Sequence, residues 1–181
     1  ALTIFNALNI LRHGTEQQKS HYIPRVINGE IRMSISMTEP DAGSDAGNMR
    51  TRAVRDGDEW VINGQKLFST AADAKNNIIQ LYCKTDTTVH SQPGISLFML
   101  PYDTPGVEIR RLNTLGRRML GPTEIFYNDV RIKDDMRVGE VNEGWLCMIS
   151  GLLMERVVSA AGYGGNSQTV EDKSVVYDQE R

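Results

Sequence analysis

The sequence predicts a mainly β domain, an antiparallel barrel or sandwich, with a helix before it and a helix after it. At least six short segments with strand-like patterns follow one another between positions 31 and 127, mostly joined by short turns. Such spacing favours antiparallel sheet over alternating strands and helices. Beyond position 139 the apolar residues recur every three or four positions, which is typical of a helix.

The elements can be assigned in chain order. Residues 2–11 have a helical pattern, and residues 31–37 alternate apolar with polar side chains, as a strand with one buried face does. Asp56-Gly57 predicts a hairpin turn, and Asn63-Gly64 predicts a second turn that ends one strand and precedes the next. The further predicted strands are 52–54, 59–62, 65–69, 78–83, 94–100, 107–112 and 124–127.

The C-terminal helix is predicted to bury one apolar face. Its residues at helical spacing are Trp145, Ile149, Leu152, Leu153 and Val157. Asn142 is the candidate N-cap. Three glycines interrupt the pattern at Gly162, Gly164 and Gly165. Because each glycine in a helix interior costs about 1 kcal/mol relative to alanine, we expect a kink or a close helix contact there.

Composition excludes several classes of protein. With 40% hydrophobic and 24% charged residues, the chain of 181 residues is typical of a globular domain and not of a disordered one. The formal charge of −3 comes from interspersed signs, so no basic surface for nucleic acid is expected. The longest uninterrupted apolar runs are too short to span a bilayer. Cys83 and Cys147 lie in unlike contexts, so we expect two buried thiols in a reducing compartment.

The sequence contains no motif for metal binding or for nucleophilic catalysis. His13, His21 and His90 have no metal-ligand spacing around them. Ser44 has no Gly-x-Ser-x-Gly context and no histidine placed to activate it. The C-terminal glycines lack the dinucleotide-binding spacing and follow no strand.

The segment from Ser36 to Asp45 is the strongest candidate for a ligand site. A strand runs into Pro40, which favours a turn, and Gly43 lets the main chain approach a ligand without a Cβ. The alternative interpretation is an ordinary polar turn.

This segment carries a resemblance. Residues 37–45, Met-Thr-Glu-Pro-Asp-Ala-Gly-Ser-Asp, resemble the first signature of the acyl-CoA dehydrogenases, which are flavoenzymes. Ordered matches at compatible spacing run from about residue 11 to about residue 168 and are more specific than any single motif. They lie at 13–19, 22–25, 28–30, 63–66, 94–98, 103–107, 115–118, 128–130 and 142–145.

The resemblance implies a domain organisation and a reaction. Residues 1–30 would end an N-terminal helical domain, 31–138 would form the β-barrel middle domain, and 139–181 would begin a C-terminal helical domain. The chain would thus be a fragment, inactive in isolation, of an FAD-dependent enzyme that desaturates an acyl-CoA thioester. A carboxylate removes the α-proton while the β-hydride passes to flavin N5. The implied acceptor is an electron-transfer flavoprotein or a similar protein.

The resemblance also implies a cofactor site. In the family, the strand entering the signature contacts the flavin, the Gly-Ser pair reaches phosphates or acyl-CoA, and a Trp-Ile-Thr segment lies against the ring. The matching residues here are Ile35, Ser36, Met37, Thr38, Gly43, Ser44, Phe68, Ser69 and Thr70. Phe68 stands in place of the usual tryptophan and Ser69 in place of an apolar residue. Phe68 is alternatively a core aromatic.

The resemblance does not identify a single catalytic base. Most of the family uses a glutamate in a C-terminal domain beyond this chain, but the isovaleryl-CoA and long-chain types use one in a segment that Glu155 matches. Glu155 shares a helix face with mostly small residues, which leave room for a ligand or for another helix. Arg156, like Ser44, is a candidate for positioning acyl-CoA. The alternative is that Glu155 and Arg156 form interhelical salt bridges.

Other functions remain open at this point. One is a flavin-dependent acyl-CoA oxidase or monooxygenase on the same scaffold, and another is a non-catalytic domain that binds CoA or a protein partner. The resemblance further implies a homodimer or homotetramer in the bacterial cytoplasm, which we favour, or in the mitochondrial matrix.

Overall fold

Helices at both ends of the chain flank a central sheet. The computed structural model describes residues 2–89, 92–116 and 118–181. Arg117, in one of the resembling segments, and His90 lie outside these residues. The helices are α1 (Leu2–His13), α2 (Glu16–Ile27) and α3 (Gly144–Glu180). The strands are β1 (Arg32–Ser36), β2 (Arg52–Asp56), β3 (Glu59–Thr70), β4 (Asn77–Lys84), β5 (Ile95–Pro101), β6 (Val107–Arg111), β7 (Pro122–Lys133) and β8 (Arg137–Val138).

The strands form one sheet, which confirms the prediction of a β domain between helices. Their order is β6-β7-β3-β2-β4-β5-β8, and β1 lies beside β4. Most neighbouring strands pair antiparallel, as predicted, but β1 and β2 both pair with β4 in parallel. Since β5 occupies the other edge of β4, residues 37–51 leave the sheet after β1 and return to the same edge at Arg52. The predicted ligand loop therefore lies between two strands that share an edge.

Two predicted strand boundaries are wrong. Asn63-Gly64 lies inside β3 as an irregularity in its pairing with β7, and the strand continues to Thr70. Gly64 has a φ of 152° and faces Thr51 so closely that a Cβ there would lie 2.6 Å from the Thr51 Cα. The last long strand, predicted at 124–127, extends to Lys133. Asp129 has a positive φ within it, and the Asn63 side chain holds this residue: its amide donates to the Asp129 carboxylate and accepts from the Asp129 main-chain N–H.

The core has two parts, one on each face of the sheet. All eight residues of β4 are buried, because alternate side chains enter different clusters. Ile78 and Tyr82 pack with residues of α1 and α3, whereas Ile79 and Leu81 pack with residues of β3 and β7. Both cysteines are buried and unpaired, as expected.

The C-terminal helix buries a different face from the predicted one. Its buried residues are Gly144, Cys147, Met148 and Gly151, and they face β5 and α1. Ile149, Leu153 and Val157 are exposed, and Trp145 and Leu152 are only partly buried. The small residues occupy the buried face because they let neighbouring elements approach closely. A Cβ on Gly151, for example, would lie only 3.0 Å from Asn9 Oδ1 of α1.

Two further expectations for α3 are wrong. Asn142 does not cap the helix; its main-chain N–H donates to Ser96 and its side-chain oxygen accepts from Thr85. The helix runs without a break through Gly162, Gly164 and Gly165, and apart from the helix's own backbone no described atom lies within 4 Å of a Cβ built on any of them. The predicted close contact is thus absent from the described part of the chain.

Among the described helices, α3 is also long and apolar enough to cross a membrane by length and composition alone. Its apolar residues are separated by glycines and small polar residues, so uninterrupted apolar runs did not reveal this. Its first two turns pack on α1 and β5.

Candidate cofactor site

The predicted ligand loop, which follows β1 and includes residues 37–45, begins with a tight turn. Glu39 and Ala42 exchange main-chain hydrogen bonds of 3.0 and 3.3 Å, and Pro40 and Asp41 lie at the exposed tip between them. Gly43 is exposed and open space surrounds its Cα, because a Cβ there would have no neighbour within 4 Å. Ser44 is exposed as well. The loop therefore offers free main-chain and hydroxyl groups at its surface.

A buried ion pair anchors this loop to β3. Lys66 Nζ lies 2.8 Å from Glu39 Oε1, and the two side chains are 0% and 5% exposed. The Glu39 carboxylate also accepts hydrogen bonds from the main-chain N–H groups of Arg50 (2.6 Å) and Thr51 (2.9 Å). Lys66 donates a second hydrogen bond of 2.8 Å to the carbonyl oxygen of Met37. Each charge is thus compensated, as a buried charge must be.

The electrostatics keep Glu39 ionised. Burial by itself raises the pKa of this carboxyl, but the Lys66 ammonium and the donated hydrogen bonds outweigh burial and leave the pKa below its ordinary value. Burial lowers the pKa of Lys66, and the Glu39 carboxylate opposes that change.

The main chain of the loop also bonds directly to β3. The N–H of Leu67 donates to the carbonyl of Thr38 over 2.7 Å. Together with the bond from Lys66 to the Met37 carbonyl, this fixes Met37 and Thr38 beside the β3 residues that precede Phe68. Both Met37 and Thr38 are half-buried.

Phe68 is presented at the surface by an unusual backbone. Its φ is +60°, a left-handed value that is costly for a bulky residue, and the pairing of β3 with β7 shifts register between Lys66 and Ser69. The side chain is 60% exposed, so it is not a core aromatic. Such outliers persist where the surroundings impose them, often at ligand sites.

A cavity of about 740 Å³ adjoins this ring. Four residues of the predicted site line it: Ile35, Phe68, Thr70 and Glu155. The structure therefore brings together the end of β3, the strand β1 and the helix α3. Other lining residues, which sequence reasoning did not identify, include Arg32, Met33, Leu120, Val158 and Ser159.

Ser36 and Ser69 have a different environment from the other predicted residues. Both side chains are fully buried. Ser69 Oγ donates to Ser36 Oγ (3.2 Å), which lies 3.0 Å from the Tyr127 hydroxyl. Thr123 Oγ1 donates to the Ser69 carbonyl over 2.7 Å. Their hydroxyls thus bond within the protein, so these hydroxyls are not directed at a ligand.

Arg156 is exposed and does not line the cavity, although Glu155 does. In the described part of the chain, neither side chain has a hydrogen bond or an ion pair. The interhelical salt bridge considered as an alternative is therefore not formed with any described residue.

The Glu39–Lys66 pair was missed from the sequence. The sequence does contain a signal for it: Lys66 is an even number of residues from Trp60 and Ile62, so it belongs to the same, buried face of the strand. A lysine on an inward face requires a carboxylate or carbonyls around it. Among the described residues, no group of three or more histidine, cysteine, aspartate or glutamate side chains is arranged to hold a metal ion.

Comparison with known proteins agrees with the geometry. The model of the acyl-CoA dehydrogenase middle domain matches residues 34–130, which is more than half of the chain. Acyl-CoA dehydrogenase FadE29 of Mycobacterium tuberculosis is 38% identical over 89% of the chain and 41% of its own length. The mitochondrial isovaleryl-CoA dehydrogenase of Pongo abelii is 34% identical over 93% of the chain and 40% of its own length.

A solved structure gives the same result. The crystal structure of acyl-CoA dehydrogenase from Geobacillus kaustophilus superimposes with a TM-score of 0.77 and 38% identity, covering 83% of the chain and 40% of that protein. The chain thus spans about two fifths of the length of these relatives. On its sequence and its fold together, the chain belongs to the acyl-CoA dehydrogenase family and contains that family's middle domain.

Proposed function

We propose that the chain forms the flavin-binding core of an FAD-dependent acyl-CoA dehydrogenase. The observation that carries this proposal is the 740 Å³ cavity, where the exposed Phe68 ring and the Glu155 carboxylate border the same space. The apolar wall suits a flavin ring, which would accept the hydride, and the carboxylate suits removal of the α-proton of a thioester.

The residues present fit a flavin. Its ring needs an apolar or aromatic surface, which Phe68 and Ile35 offer, and hydrogen-bonding groups along one edge. Among the described strands, β1 pairs only with β4, so its other edge presents main-chain groups near the cavity. The Thr70 hydroxyl lines the same space. Gly43 and Ser44 offer exposed donors for phosphate groups of FAD or acyl-CoA.

Each residue then has a role. Ile35, Ser36, Met37 and Thr38 contact the flavin through their main chain and through the Ile35 and Thr38 side chains, and Phe68, Ser69 and Thr70 form the facing wall. Bound FAD would supply N5 as the acceptor of the hydride that leaves the β-carbon. The Glu155 carboxylate accepts the α-proton, so that two C–H bonds break and one C=C bond forms. Arg156, on the exposed side of α3, positions the CoA portion.

The chain is similar to an isovaleryl-CoA dehydrogenase, and Glu155 matches the segment that the resemblance implies for the base of that type; both points support Glu155 as the base. We further propose an electron-transfer flavoprotein as electron acceptor and a homodimer or homotetramer as the assembly. The relatives come from a bacterium and from mitochondria, which supports the bacterial cytoplasm or the mitochondrial matrix as the location.

The test uses the intact polypeptide that carries this sequence. FAD is titrated by fluorescence, and butyryl-, isovaleryl- and palmitoyl-CoA are then added without oxygen while flavin absorbance is recorded. We expect saturable binding of FAD and bleaching by at least one thioester. In Glu155→Gln, FAD should bind as before while bleaching slows at least a hundredfold.

The alternatives predict other results. Rapid oxygen consumption by the reduced enzyme would indicate an oxidase or a monooxygenase. Binding of CoA without any binding of FAD would indicate a non-catalytic domain and would overturn the proposal. A Glu155→Gln variant that bleaches at the original rate would remove Glu155 as the base and leave the flavin site in place.

A further inference from the structure

The Glu39–Lys66 pair joins two segments that the proposed function assigns to the cofactor. Glu39 follows Thr38 directly, and Lys66 lies two residues before Phe68. The pair is therefore connected through very short main-chain segments to both walls of the flavin site. The Lys66 bond to the Met37 carbonyl adds a second connection between the same segments.

The geometry around the pair leaves little freedom. Lys66 is fully buried and contacts the Glu39 carboxylate, the Met37 carbonyl and the Met49 sulfur. Glu39 is bonded to two consecutive main-chain N–H groups, which lead into β2. Buried ion pairs contribute little net stability compared with apolar side chains of the same size. Their best-attested role is to specify one arrangement among several.

We propose that the Glu39–Lys66 ion pair is a positioning element of the flavin site, which sets the separation between the Met37–Thr38 main chain and the Phe68 ring. This inference rests on the proposed function, because it assigns a role relative to bound FAD. Neither side chain lines the cavity, so both act through the residues beside them.

A positioning role and a purely stabilising role make different predictions for a double substitution. Lys66→Met leaves the Glu39 carboxylate buried without its cation, and Glu39→Gln leaves the ammonium without its anion. Each single change should lower the free energy of unfolding. The double variant Glu39→Gln/Lys66→Met has no unpaired buried charge, so it should regain most of that stability. It still lacks the Lys66 bond to the Met37 carbonyl.

The experiment measures urea unfolding without FAD, the Kd for FAD, and the visible circular dichroism of the bound flavin. Trp60→Phe is the control, since it removes a partly buried hydrogen bond to Asp134 at the opposite end of β3. We expect the double variant to unfold near the wild-type urea concentration, to bind FAD at least tenfold more weakly, and to show an altered flavin signal. Trp60→Phe should lose stability and keep both the Kd and the signal.

The outcomes separate the two proposals. If the wild type binds no FAD, the proposed function fails and this inference fails with it. If the wild type binds FAD and the stability-restored double variant binds it equally well with an unchanged signal, the pair is only structural and this inference alone is overturned. If the double variant does not fold, Glu39→Gln decides, because it removes the negative charge and keeps one acceptor oxygen for the Arg50 and Thr51 N–H groups. Unchanged affinity and an unchanged flavin signal in that variant likewise overturn the inference.

Discussion

The Ser69 hydroxyl donates a hydrogen bond of 3.2 Å to the Ser36 hydroxyl, and it does so in the core and not in the cavity. Ser36 in turn lies 3.0 Å from the Tyr127 hydroxyl. Three strands, β1, β3 and β7, are thereby joined by side-chain bonds behind the candidate site. The two serines thus contribute to the rigidity of the wall, while neighbouring residues face the cavity.

Ser36→Ala should reduce stability and leave the cofactor site functional. Its removal leaves the buried Tyr127 hydroxyl without this partner, which costs about 1–3 kcal/mol. The free energy of unfolding in urea measures this loss, and the Kd for FAD should stay within threefold of wild type. The exposed Ser44→Ala change should alter stability by less than about 0.5 kcal/mol. Weaker FAD binding without a loss of stability would show that the Ser36 hydroxyl contacts the cofactor.

Phe68→Ala should have the opposite effect. Because the side chain is 60% exposed, its loss should change the free energy of unfolding by less than about 1 kcal/mol. FAD affinity should fall at least tenfold, and Phe68→Trp should preserve it. Phe68→Gly should be about 1 kcal/mol more stable than Phe68→Ala, since glycine adopts the positive φ without strain. Fluorescence titration and urea unfolding measure both effects, and an unchanged Kd in Phe68→Ala would exclude the ring from the site.

Two glycines of α3 should respond in opposite directions to alanine. A Cβ on Gly144 would lie 2.6 Å from the Ser96 carbonyl carbon, which is backbone and cannot move aside. Gly144→Ala should therefore destabilise the protein by about 1–3 kcal/mol, the usual cost of overpacking. Gly162→Ala meets open space and should stabilise the helix by up to about 1 kcal/mol. Thermal unfolding followed by circular dichroism tests the pair; equal effects would contradict the packing of α3 on β5.

Asp134 should make stability depend on pH in the acid range. Hydrogen bonds from Arg137, and then from Trp60, hold its pKa at about 2, below the ordinary 3.8, although burial opposes them. A depressed carboxyl pKa stabilises the folded state above the unfolded pKa, and this contribution is lost as the pH falls from about 4 toward 2. Asp134→Asn should therefore flatten the pH dependence of the unfolding free energy between pH 5 and 2. Arg137→Met should flatten it too; a slope unchanged in both variants would refute this account.

Local patterns predicted much of this structure. Alternation identified β1, and Asp56-Gly57 identified the β2–β3 turn, because both signals depend on residues adjacent in sequence. The continuous β3 and the long β7 were not predicted. Asn63 and Asp129 signal turns locally, but across the sheet they bond to each other and keep both strands intact.

The buried face of α3 shows the same division. Helical spacing predicted the helix itself, but the contact face depended on which residues let α1 and β5 approach. Gly144 and Gly151 have no side chains to signal burial, whereas Leu153 and Val157 have apolar side chains that remain exposed. Hydrophobic pattern alone therefore assigned the wrong side.

The sequence by itself determined the family, the β domain between helices, and the loop from Ser36 to Asp45 as the place to look for a ligand, because ordered motifs are a property of the chain. Only the tertiary structure decided which residues share the cavity. It turned Phe68 outward through a register shift in β3, directed the Ser36 and Ser69 hydroxyls inward, and placed Lys66 against Glu39. These arrangements depend on contacts between segments distant in sequence, and local propensity does not encode such contacts.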